Sequence, residues 1–68
     1  MTWKELVEKA KELGWEYKKT AYTESLFSLN EDDVIIQFYP DGEIMVDETK
    51  ISQDRTPEQM YQIMLALM

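Results

Sequence analysis

The spacing of hydrophobic and polar positions changes along the chain, and each change predicts an element. Trp3, Leu6, Val7, Ala10 and Leu13 recur at helical spacing, while Lys4, Glu5, Glu8, Lys9, Lys11 and Glu12 fill the opposite side. A helix is therefore predicted to start at Trp3. Thr2 with Glu5 three residues on has the spacing of a capping box, and Met1 with Leu6 that of a hydrophobic staple. Gly14 supplies the left-handed residue that commonly closes a helix.

From Trp15 to Val46 the period shortens to two. Trp15, Tyr17 and Lys19 alternate with Glu16, Lys18 and Thr20, and Ser25 to Leu29 follows a polar bend at Thr23–Glu24. These are either two strands or one long bent strand. Asn30-Glu31-Asp32-Asp33 has turn chemistry. Val34 to Tyr39 is the clearest strand, with Val34, Ile36 and Phe38 on one side and Ile35, Gln37 and Tyr39 on the other. Pro40-Asp41-Gly42 turns the chain, so that Glu43 to Val46 returns as an antiparallel partner.

Asp47 to Arg55 reads as a polar connection pinned to the core by Ile51. Thr56-Pro57-Glu58-Gln59 combines a capping box with proline at the first helical position, which predicts a second helix from Pro57 to about Met68. The expected fold is α+β in two layers: an antiparallel sheet of three or four strands, with an N-terminal and a C-terminal helix on one face, in the order α-β-β-β(-β)-α.

The second helix is more apolar than one sheet contact needs. At about 100° per residue, Met60, Tyr61, Ile63, Met64, Leu65, Leu67 and Met68 spread over an arc of roughly 200°. One reading buries the helix on two sides, against the sheet and the first helix. The other leaves Tyr61, Met64, Leu65 and Met68 to meet a partner, because methionine strips adapt to irregular surfaces. A sheet face carrying Phe27, Ile35 and Tyr39 is a second candidate contact surface.

Composition narrows the function. The 68 residues are 44% apolar and 31% charged, which fits one small globular domain. With no His and no Cys, the chain lacks an imidazole base, a thiolate nucleophile and the usual zinc or iron–sulfur ligands. Gly14 and Gly42 are the only glycines, so no glycine-rich phosphate loop or nucleophile elbow exists. The twelve positions from Asp47 to Glu58 begin and end like a calcium loop, but Thr49, Ile51 and Ser52 occupy positions where that loop needs oxygen ligands and a glycine. No catalytic, cofactor or metal site is expected, and no enzyme activity. The apolar runs fall far short of the about 20 residues that span a bilayer, so a cytoplasmic, membrane-free protein is expected.

Charge is unevenly placed. Residues 1–30 hold five acids and five bases, whereas residues 31–68 hold nine acids against Lys50 and Arg55, so the net charge of −7 belongs to the second part. Asp32, Asp33, Asp47 and Glu48 are candidates for an acidic surface. The order α-β-β-β-α resembles that of the double-stranded RNA-binding domain. That family opens its second helix on a lysine cluster, whereas this one opens on Asp54-Arg55-Thr56-Pro57-Glu58, and a pI near 4.3 opposes phosphate contact. Direct nucleic-acid binding is not expected. The function expected is protein–protein contact, as an accessory or regulatory module that pairs with a protein partner or with itself through the C-terminal helix. The alternative is an acidic mimic of nucleic acid that occupies a basic cleft.

Overall fold

The computed structural model describes residues 1–28 and 34–67. The elements are α1 (Trp3–Glu12), β1 (Glu16–Lys19), β2 (Glu24–Phe27), β3 (Ile36–Phe38), β4 (Ile44–Val46), β5 (Thr49–Ser52) and α2 (Pro57–Ala66). The strands form one antiparallel meander, β1-β2-β3-β4-β5. The register sets Leu26 beside Phe38 and Phe38 beside Ile44, so these three share a face. That face packs with Leu6, Val7 and Ala10 of α1 and Met60 and Met64 of α2 into one buried cluster. The α+β two-layer arrangement is therefore as expected, with five strands in the sheet where three or four are expected.

Local signals fix both helices. The Thr2 hydroxyl oxygen accepts the Glu5 N–H at 3.2 Å, but the Glu5 carboxylate meets that same hydroxyl at 3.3 Å instead of the Thr2 N–H, so the first capping box is only half made. At the other end the Gly14 N–H reaches the Lys11 carbonyl and the Trp15 N–H the Ala10 carbonyl, a Schellman closure with Gly14 at φ +94°. α2 has the complete box: the Gln59 N–H donates to Thr56 Oγ1 at 3.2 Å, and the Thr56 N–H to Gln59 Oε1 at 2.9 Å. Pro57 follows at the first helical position.

Trp15 to Phe27 makes two strands. The bend between them is held by Thr20 Oγ1, which accepts the N–H groups of Tyr22 and Thr23. Leu29 and the turn read at Asn30–Asp33 lie outside the described residues. The strand expected over Val34–Tyr39 is shorter: only Ile36–Phe38 pairs as a strand, and Val34 and Ile35 are exposed.

The connection expected over Asp47–Arg55 is corrected. Thr49–Ser52 is the edge strand β5, and Ile51 is 60% exposed rather than plugged into the core. Val46 pairs with Thr49, so Asp47 and Glu48 form a two-residue hairpin loop, both with positive φ, 52° and 69°. A register shift at Ile44/Met45 then absorbs a residue of β5 and takes it out of alternation. With five strands the order also departs from the α-β-β-β-α of the RNA-binding domain.

A meander alternates its turns between two ends. Thr20–Thr23 and Tyr39–Glu43 lie at one end, with the entry to α2; Asp47–Glu48 lies at the other, where the Asp47 N–H donates to the Ile35 carbonyl at 2.8 Å.

Candidate functional site

The residues expected to meet a partner divide between core and surface. Met64 is fully buried, as is Met60 one turn earlier. Its side chain belongs to the joint of α1, α2 and the sheet, and meets no partner while the fold is intact. Tyr61 is half-buried, with Lys9 Nζ of α1 lying 5.5 Å from the centre of its ring, so a cation–π contact between the helices occupies one side of it. Leu65 is 39% exposed. Met68 lies outside the described residues.

Leu67, on the apolar arc but not among the expected partner residues, is 52% exposed. Its angular position continues the Ile63 side of α2, which is half-buried. Leu67 sits at the C-cap one turn further on. From Gln59 to Leu67 the helix carries no charged residue, and no base lies in its last turn. Tyr61 and Leu65 lie one turn apart on one flank of α2 and Leu67 on the other, roughly 200° from Leu65, so this uncharged end presents apolar side chains on both flanks of the helix in a chain of net charge −7.

The opposite face of the sheet carries Phe27, Gln37, Met45 and Lys50 side by side across four strands. Phe27, Gln37 and Met45 are half-buried. Tyr39 is tied to this face by its hydroxyl, which donates to Gln37 Oε1 at 3.2 Å, and Ile35 is 49% exposed. The aromatic surface read as Phe27, Ile35 and Tyr39 is therefore interrupted by polar groups.

The acids separate by end. Asp47 and Glu48 stand exposed at one end; Asp32 and Asp33 lie outside the described residues. Glu24, Asp41 and Glu43 line a groove at the other end. There Lys50 Nζ pairs with Glu43 at 2.8 Å, which raises the lysine pKa, with smaller contributions from Asp41 and Asp54. The Tyr17 phenol donates to the Glu24 carboxylate across the β1–β2 hairpin, holding that carboxyl below its ordinary value and pushing the phenol up. The Trp3 indole N–H, buried without a well-formed partner, lies near enough to Glu24 to add to the lowering, as does the charge of Lys19.

No group of three or more carboxylates among the described residues is placed to hold a metal ion. No helix among them is long and apolar enough to cross a membrane. No protein family matches the chain, and no curated protein or solved structure matches it either.

Proposed function

We propose that this protein works by protein–protein contact, as a small accessory or regulatory module, and that the exposed C-terminal end of α2 pairs first with a second copy of the chain. The observation that supports this reading is the uncharged end of α2, where Leu65 is 39% and Leu67 52% exposed. Like charges oppose the approach of two chains that each carry −7, and they do so least where a surface bears no charge. Contact there also withdraws two leucines from water, worth about 25 cal/mol per Å² buried before the cost of association is subtracted. A chain of this length buries only about 60% of its unfolded surface, so burial against a partner adds to a modest core.

Amide chemical shifts followed on dilution test the surface. Concentration-dependent shifts confined to Tyr61–Leu67 and its neighbours on α1 are expected. Shifts centred on β5 or on the sheet face of Phe27 and Met45 would move the contact elsewhere and sink the assignment to α2.

A further inference from the structure

At the end of the sheet where α2 begins, the turns Thr20–Thr23 and Tyr39–Glu43 border an open groove of about 340 Å³, within the size range of small-ligand sites. Its walls are Tyr22, Tyr39 and Pro40, and its acids are Glu24, Asp41 and Glu43. The asymmetry between the two rings is informative. Tyr39 is half-buried and held by its bond to Gln37. Tyr22 is 97% exposed and buries nothing in the fold, since Thr20 and Thr23 hold the turn through their own hydroxyls. A fully exposed ring beside an acidic groove is apolar surface that folding has left unused.

The charges do not cancel. Glu43 has Lys50 as its partner, and Glu24 is ionised against the Tyr17 phenol. Asp41 uses Oδ1 to accept the Glu43 N–H at 3.2 Å and makes no ion pair among the described residues. Asp41 therefore keeps its negative charge in the groove, beside Tyr22 and Tyr39. Its carboxylates are not grouped to hold a metal ion. A planar organic cation fits better, because a guanidinium stacks on an aromatic face and offers several N–H donors to separate carboxylates, which a compact ammonium does less well.

We infer that this groove receives an arginine side chain carried by an extended segment of a partner protein, between Tyr22 and Tyr39 and against Asp41. The site lies where α2 begins, whereas Leu65 and Leu67 are at the other end of that helix, and it does not depend on self-association through α2.

The test is an amide-shift titration of the whole chain with a blocked Gly-Gly-Arg-Gly-Gly peptide, alongside the same peptide carrying citrulline or lysine in place of arginine. Saturable shifts at Tyr22, Thr23, Asp41 and Gly42 are expected with arginine, weaker ones with lysine and none with citrulline. Tyr22→Ala should weaken arginine binding about fivefold, the scale of an exposed cation–π contact, without disturbing the fold. The double variant Asp47→Asn/Glu48→Gln, at the other end, should leave the affinity within about twofold. The inference is overturned if Tyr22→Ala binds as tightly as the parent, if lysine binds as well as arginine, if shifts are as large at Asp47–Glu48 as in the groove, or if no saturation is reached at millimolar peptide.

Discussion

The backbone of Gly42 lies directly against that of Arg55. The Gly42 carbonyl accepts the Arg55 N–H at 3.0 Å, and a Cβ on Gly42 would stand 2.7 Å from the Arg55 carbonyl oxygen and 2.8 Å from its nitrogen. The β3–β4 turn thus fixes where the chain leaves β5 and enters α2. Gly42→Ala should cost about 3 kcal/mol, from a positive φ that alanine resists and from a backbone clash that a flexible side chain cannot relieve. Gly14→Ala meets the same φ penalty but open space, and should cost about 1 kcal/mol. Urea denaturation of both variants checks the difference; equal losses would mean that the Gly42–Arg55 contact is not tight.

The β4–β5 hairpin is held by a turn whose second residue, Glu48, does not favour its geometry. Asp47 and Glu48 both adopt positive φ, as a two-residue type I′ loop demands, although glycine and asparagine suit that geometry better. Asp47→Asn with Glu48→Gly should raise stability by about 1 kcal/mol. A higher urea midpoint with an unchanged slope is the expected result, and a lower midpoint would show that the carboxylates contribute something that the backbone gain does not replace.

Tyr17 and Glu24 set a pH window for the β1–β2 hairpin. The folded Glu24 carboxyl titrates below its ordinary value of 4.5, so its contribution is present above that pH and is lost as pH falls through the folded value. The folded Tyr17 phenol titrates above 10.0, so its contribution is full below that pH and is lost as pH rises through the folded value. Tyr17→Phe should move the Glu24 midpoint upward, toward 4.5, in a carboxyl NMR titration. A midpoint that stays where it was would mean that the phenol is not the cause.

Both helices were legible because their signals are local. Thr2, Gly14, Thr56, Gln59 and Pro57 act on backbone groups within a few residues, and each takes part in its helix end. β5 was hidden for two reasons: Asp47-Glu48 lacks the glycine that announces a tight hairpin, and the shift at Ile44/Met45 breaks the alternation that would have paired Thr49–Ser52 with β4. The arc on α2 was legible as a whole, but its division was not. Met64 and Leu65 are adjacent and both apolar, and only the way α2 packs against α1 and the sheet decides that the first is fully buried and the second 39% exposed. The groove draws Tyr22 and Asp41 together from turns on different hairpins, a meeting that requires the meander order and not merely the existence of the strands.

The most direct test of the central claim is the mass in solution, by light scattering behind size exclusion, over a range from micromolar to millimolar chain. Self-association through α2 predicts a rise from 8.1 kDa toward twice that value with increasing concentration. Leu65→Ser with Leu67→Ser, both at exposed positions, should hold the mass at 8.1 kDa throughout without loss of fold. A parent chain that stays at 8.1 kDa at every concentration, or a double variant that dimerises as the parent does, would contradict it.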